Sequence, residues 1–240
     1  MAQFEIKDGV AIIPEGTTEI GEETFYDCTS LESVTIPESV TEIGNCAFIR
    51  CTSLKNVAIP KSVTQIGDSA FSGCTSLESI TLPDSVTIID WLAFDDCTSL
   101  KNITLPDSVT FLGENAFSHC TSLESITISK SVTEIGHYAF DGCSLLKSII
   151  IPESVKEIGI GAFRWCAVLE SITLPESVTS IGWYAFSGCT SLKNITLPDL
   201  VSGYVKVKYT CLAYLKWGLY CLTLPYRFVE ILVQQRKGVK

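Results

Sequence analysis

Apolar residues recur along this chain in short clusters whose spacing is neither the two of a long strand nor the 3.6 of a helix. One cluster is Leu54, Val57 and Ile59, the next Val63 and Ile66, the next Ala70, Phe71 and Cys74, and the set then begins again at Leu77. Leu54-x-x-Val57-x-Ile59 predicts a short strand with its apolar side chains on one side. Pro60 ends that strand, because proline has no N–H to give to a ladder. Val63 and Ile66 predict a second inward-facing pair, and Gly67 a bend that calls for a permissive backbone. Ala70, Phe71 and Cys74 have the spacing of one turn of α- or 3-10 helix that points inward again. A unit this small cannot bury its apolar side alone, so copies of it must stack and share a core.

The copies are present. Cys28, Cys51, Cys74, Cys97, Cys120, Cys143, Cys166 and Cys189 stand 23 residues apart without an insertion. Around them runs the frame C-T-S-L-x-x-I-x-L-P-x-S-V-T-x-I-G-x-x-A-F-x-x, nearly unbroken in CTSLESITLPDSVT at 74–87. Ile13-Pro14, Ile20-Gly21 and Phe25 fit the same frame upstream. The expected organisation is therefore a partial first coil or cap at 1–27, tandem coils at 28–199, and a divergent segment at 200–240. With strands about 4.8 Å apart, such a stack is roughly 40 Å long.

From Val10 to Pro198 the motif L-x-x-I-x-L-P-x-S-V-T-x-I-G-x-x-A-F-x-x-C resembles the BspA-like (treponemal-type) leucine-rich repeats. The resemblance implies a β-rich, right-handed solenoid with short parallel strands and helical or 3-10 turns. It also implies an adhesion or protein-interaction module, as is common for bacterial surface proteins. The chain departs from the motif at Asp90 for Gly, Ser129 for Pro and Leu145-Leu146 for Ser-Leu, which reads as three coil defects within an intact fold.

Composition sharpens this picture at the C-terminus. The 240 residues carry a formal charge of −10, but unevenly. Residues 1–200 hold 10 basic and 26 acidic side chains, whereas 201–240 hold 7 basic and 1 acidic. Five tyrosines, Tyr204, Tyr209, Tyr214, Tyr220 and Tyr226, also fall in that last segment. It reads as an atypical cap, as a shifted reading that replaces further repeats, or as a basic tail that grips an acidic surface. The acidic repeats argue against nucleic acid as a partner. No apolar run is long enough for a spanning helix, and the N-terminus lacks the basic-then-apolar order of a signal peptide.

Candidate chemistry is sparse. The column of cysteines faces inward beside phenylalanines and reads as buried free thiols, which favours a reducing compartment; the family resemblance equally allows the cell surface. His119 and His137 sit at variable positions without a carboxylate or nucleophile at motif spacing. No catalytic, cofactor or metal site is therefore expected. The first variable strand position alternates Glu32, Lys55, Glu78, Lys101, Glu124, Lys147, Glu170, Lys193. This ladder of opposite charges is expected to neutralise itself, and its period suggests duplication of a two-coil unit. Recognition is assigned instead to residues that break the repeat: Trp91, His137, Tyr138, Trp165, Trp183 and Tyr184. The expected partner is a protein. The alternative is a scaffold that self-associates end to end through an open terminal coil.

Overall fold

The computed structural model describes residues 4–198, so the divergent segment at 200–240, with Cys211 and Cys221, lies outside the described residues. Each coil contributes one three-residue strand and one two-residue strand, except that the coil of Leu145-Leu146 keeps only a single bridge in place of the first. The three-residue strands stack as Val10–Ile12, Ser33–Thr35, Asn56–Ala58, Ser79–Thr81, Asn102–Thr104 and Ser125–Thr127. All are parallel, and partners such as Asn102 and Ser125 are separated by one period of 23. Ile6–Lys7 covers the first edge as an antiparallel strand on Val10–Ile12. In each strand only the middle residue faces the core, which is why the sequence reads polar–apolar–polar there.

A second parallel ladder runs through Glu19–Ile20, Glu42–Ile43, Gln65–Ile66, Ile88–Ile89 and Phe111–Leu112, and resumes through Glu134–Ile135, Glu157–Ile158 and Ser180–Ile181. Both ladders are interrupted at coils that the sequence marked as departures. The first is reduced to the bridge Thr127–Ile150 in the coil of Leu145-Leu146, then resumes at Ser171–Thr173 and Asn194–Thr196. The second breaks between Leu112 and Glu134, in the coil where Ser129 replaces proline.

Ser129 also repairs what it disturbs. Elsewhere a serine hydroxyl donates to a valine carbonyl in the preceding coil, as Ser108 does to Val86 and Ser154 to Val132, each at 2.6 Å. In the departing coil Ser129 takes that role toward Val109 at 2.7 Å, and Ser131 turns to the Asp107 carbonyl. Among the described residues, no buried side-chain nitrogen or oxygen is left without a partner.

The segment from the bend glycine to cysteine differs from the helical turn expected of it. The described residues contain no helix; this segment is a run of turns. Two residues per coil adopt positive φ, for example Cys46 at 54° and Arg50 at 58°. Such a residue reverses the chain, so a helix cannot propagate through it. N–H groups then alternate in purpose. Ala47, Ile49 and Cys51 bond back within their own coil, to Gly44, Cys46 and Phe48. Cys46, Phe48 and Arg50 bond forward to Asp68, Ala70 and Ser72 of the next coil. The turn side is thus a third coil-to-coil ladder.

The core is a set of columns. Phe25, Phe48, Phe71, Phe94, Phe117, Phe140, Phe163 and Phe186 stack with ring centroids 5.0–5.8 Å apart. The bend glycines form another column, and the reason is not φ. A Cβ on Gly67 would lie 2.8 Å from the Gly44 carbonyl carbon, and one on Gly113 would lie 2.6 Å from backbone atoms of Asp90 and Trp91. Glycine suits this column because successive backbones approach closely; Asp90 is the one described member with a side chain, and its carboxylate accepts the Trp91 N–H at 2.8 Å.

Candidate partner-binding face

Four positions of each turn segment vary in identity: the two after the bend glycine, the one after phenylalanine (buried at Ser118 and Asp141) and the one before cysteine. Because their backbones are tied coil to coil, equivalent residues form columns on a rigid frame. The first column runs Asp68, Trp91, Glu114, His137, Ile160, Trp183. The second and fourth are the positive-φ positions, where a side chain is directed along the solenoid onto the next coil.

That direction explains a pairing of large residues with glycines. A Cβ on Gly161 would strike the Tyr138 ring at 2.4 Å, and one on Gly188 would strike the Trp165 ring at 2.4 Å. Arg50 over Gly73 and His119 over Gly142 repeat the arrangement less tightly, at 3.3 and 3.1 Å. Each large side chain lies on the bare backbone of the following coil, so Tyr138 and Trp165 have one side against protein.

The six aromatic and histidine candidates share this turn face but are not equivalent. Trp91, Trp165, Trp183 and Tyr184 are exposed, by 52%, 57%, 64% and 46%. His137 and Tyr138 are partly buried and already occupied. The His137 Nδ1 accepts the Ile160 N–H at 2.8 Å, repeating what the Asn45 side chain does for Asp68. Tyr138 carries Arg164, whose guanidinium carbon lies 5.1 Å from the ring centroid. Arg164 also grips Asp141 with two bonds, Nε to Oδ1 at 3.0 Å and Nη2 to Oδ2 at 2.6 Å. The Asp141 side chain is almost fully buried, so the attraction within the pair is little screened by water and, with the two bonds, offsets the cost of burying the charge. Sequence reasoning missed the pair, because aspartate and arginine 23 residues apart in a variable column show only that opposite charges are in register.

His119 does meet a carboxylate. Its Nδ1 lies 3.3 Å from Asp95 Oδ1 and 2.9 Å from the Ser118 hydroxyl. A Ser-His-Asp relay needs the serine and the aspartate on opposite ring nitrogens. Here both fall on one nitrogen, so no proton can pass from serine through the ring to aspartate. Burial pushes the Asp95 carboxyl above the usual range, while its bonds to His119 and Ser118 pull it back. Among the described residues, no group of three or more His, Cys, Asp or Glu side chains is placed to hold a metal.

On the strand face the charge ladder resolves into discrete pairs. Glu32–Lys55, Glu78–Lys101, Glu124–Lys147 and Glu170–Lys193 are 3.0, 3.6, 2.7 and 3.4 Å apart. The next column bonds across intervening junctions: Ser79 donates to Asn56 at 2.8 Å and Ser125 to Asn102 at 2.7 Å. Successive coils from Glu32 to Lys147 are therefore stitched by ion pair and hydrogen bond in turn. The face is half exposed but its charges are matched within it.

The family description "BspA type Leucine rich repeat region (6 copies)" matches residues 9–123 and 110–214. The chain belongs to the BspA-type leucine-rich repeat family. Solved structures agree with that membership. A leucine-rich repeat protein from Bacteroides ovatus is 37% identical with a TM-score of 0.75, over 80% of this chain and 52% of that one. The leucine-rich repeat protein of T. pallidum is 34% identical with a TM-score of 0.67, over 87% and 94% of the two chains. A leucine-rich cell surface protein from Faecalibacterium prausnitzii is 35% identical with a TM-score of 0.57, over 84% and 63%. The BspA-type chain thus spans about half the length of the Bacteroides protein. No curated protein matches it by sequence. Repeats of this type are generally protein-interaction or adhesion modules. Among the described residues, no helix is long and apolar enough to cross a membrane.

Proposed function

We propose that this chain is a non-enzymatic adhesion module that binds protein through its turn face, with the acidic solenoid as a rigid support. The observation that carries this reading is the set Trp91, Trp165, Trp183 and Tyr184, large aromatics exposed on a frame that all three ladders hold still. Aromatic side chains on a preorganised surface are the usual anchors of protein interfaces, since little entropy is lost when they are covered. The strand face is a poorer candidate, because its ion pairs satisfy one another. The description of the Faecalibacterium relative as a cell surface protein supports an adhesive role.

Affinity capture from cell-surface and matrix proteins tests the reading, comparing the unmodified chain with a Trp165→Ala, Trp183→Ala, Tyr184→Ala variant of matched melting temperature. A partner held by the first and lost by the second is expected. Equal capture by both would remove the turn face from consideration. A second reading, end-to-end association, rests on the serial growth of both ladders up to the last described strand, Asn194–Thr196. It requires the apparent mass to rise with concentration in sedimentation, and a constant monomer mass would end it.

A further inference from the structure

Among the described residues, the turn ladder is the one side of the solenoid without a gap. At every junction three turn N–H groups cross to the next coil. The series starts with Glu23, Phe25 and Asp27, which donate to Asn45, Ala47 and Ile49, and ends with Gly161, Phe163 and Trp165, which donate to Trp183, Ala185 and Ser187. The other two sides each have one gap. On the second ladder the Thr110 N–H donates to the Thr87 carbonyl and the Gly113 N–H to that of Ile89, both at 2.9 Å. One coil on, Thr133 and Gly136 make neither bond; after that, Lys156 and Gly159 make both again at 2.8 Å. Phe117 and Phe140, on either side of this gap, are the most widely spaced pair of the ring column, at 5.8 Å. On the strand side the Lys147 N–H donates to Glu124 and the Lys193 N–H to Glu170, but no such bond joins Glu170 to Lys147. Ser171–Thr173 pairs only forward, with Asn194–Thr196. At the other junctions all three sides are tied.

Ser129 accounts for the gap on the second ladder. Residues 128–133 read ISKSVT, and residues 59–64 read IPKSVT. With proline, Thr64 bonds to Thr41 at 3.0 Å and Gly67 to Ile43 at 2.9 Å. With serine, whose hydroxyl takes the Val109 carbonyl while Ser131 turns to Asp107, both bonds are lost. A stack tied on one side and untied on another opens at the untied side. Since the turn ladder keeps its length, such opening bends the body toward the turn face. The gaps also fall between the exposed aromatics. The first separates the coils of Trp91 and Trp165, and the second those of Trp165 and Trp183. We propose that the solenoid is jointed at these two junctions and bends toward its turn face, so that Trp91, Trp165 and Trp183 close on a convex surface of the protein partner. This rests on the turn face being the binding face and adds the shape of what it binds.

Pairs of nitroxide labels measure the bending by pulsed electron paramagnetic resonance on the full chain. They are coupled to p-acetylphenylalanine introduced in pairs, which leaves the native cysteines untouched. Glu42 and Glu134 span the first joint on the second ladder, while Glu19 and Phe111 span unbroken coils of the same side, each pair about 19 Å apart at about 4.8 Å per coil. On the strand side Thr104 and Thr196 span the second joint, with Thr35 and Thr127 as the unbroken control. The joint pairs should give distance distributions about twice as wide as their controls, with a tail toward longer distances only. Ser129→Pro, which copies the coil of Pro60, should narrow the first joint to its control width. It should also raise the protection of the Thr133 and Gly136 amides from hydrogen exchange about tenfold. If that variant fails to fold, the label pairs in the unmodified background decide. Joint pairs as narrow as their controls, or a tail toward shorter distances, overturn the joints. Capture that still depends on Trp165, Trp183 and Tyr184 would then leave the turn face standing as an unjointed binding surface. Bending without such capture removes the turn-face reading, and with it the closing on a partner.

Discussion

The Cys97 thiol donates to the backbone carbonyl of Phe71, 3.2 Å away in the preceding coil. The same bond, 3.0–3.2 Å long, recurs from Cys51 to Cys189, so each thiol is both core filler and link between coils. None of the nine described cysteines is in a disulfide, in keeping with a column whose side chains all point the same way.

Burial pushes these thiols up from their ordinary value of 9.0, to about 12 for Cys51 and well above for Cys74, Cys97 and Cys143. The unfolded chain releases these protons near pH 9 and the folded chain holds them. The contribution of these thiols to stability should therefore be constant below pH 9 and fall away as pH rises beyond it. Melting temperature against pH checks this, and a Cys74→Ala, Cys97→Ala variant should show a shallower alkaline fall. In alkylation at pH 8, Cys28 and Cys46, which are only partly buried, should react before the buried column.

The bend-glycine column predicts a contrast between two identical substitutions. Gly113→Ala puts a methyl group 2.6 Å from the backbone of the preceding coil, whereas at Gly21 the nearest atoms are side-chain oxygens 3.8 Å away. Gly113→Ala should cost about 1–3 kcal/mol or more by overpacking, and Gly21→Ala close to nothing. Urea melts of the two variants measure it. Equal effects would place the requirement in local conformation instead of coil-to-coil approach.

These glycines also show where the sequence stopped being legible. The inward columns could be read because a fixed period repeats each buried position, and their Phe, Cys, Leu and Ile side chains proved buried except toward the ends, where Cys28, Ile181 and Leu192 are partly buried. Gly67 was readable as indispensable but not for the right reason, since the blocking atoms belong to another coil. The positive-φ position before cysteine carries Arg50, His119 and Trp165, whose identities say nothing about backbone. Only Gly73, Gly142 and Gly188 in that column hinted at it. Likewise the aromatics could be chosen from the sequence as repeat-breaking residues. That His137 and Tyr138 are engaged, and that Arg164 and Asp141 make a pair, depends on how side chains reach between coils.

Phe117 lies fully buried between Phe94 and Phe140, with ring centroids 5.2 and 5.8 Å away. Phe117→Ala should lower stability by about 3–5 kcal/mol, because the adjoining rings are fixed by their own ladders and cannot collapse into the space. Chemical denaturation measures the loss. A wild-type midpoint would mean that the ring does not contribute to the core.

The alternating stitches predict an alternating coupling. Lys55 pairs with Glu32 and not, within ion-pair distance, with Glu78, although both are strand neighbours. A double-mutant cycle on Glu32 and Lys55 should give a small favourable coupling, about 0.2–1 kcal/mol and reduced by salt, since both side chains are half exposed. The cycle on Lys55 and Glu78 should give none. Similar couplings at both junctions would mean a continuous charge ladder and would remove the two-coil unit as a structural repeat.

Glu23 offers a way to increase stability. It is exposed, and its φ of 56° lies in the left-handed region, at a position where a later coil has Gly161 at 62°. A side chain there costs roughly 1–2 kcal/mol relative to ordinary backbone, and glycine removes that cost. Glycine also frees the unfolded chain, which takes back about 0.4–1 kcal/mol. Glu23→Gly should therefore gain of the order of 0.5–1 kcal/mol, helped by the removal of one negative charge beside Glu22. Glu22 has no positive φ, so Glu22→Gly receives only the unfavourable entropy and should destabilise. Thermal melts of the two neighbours give opposite signs if the turn conformation is right, and the same sign if it is not.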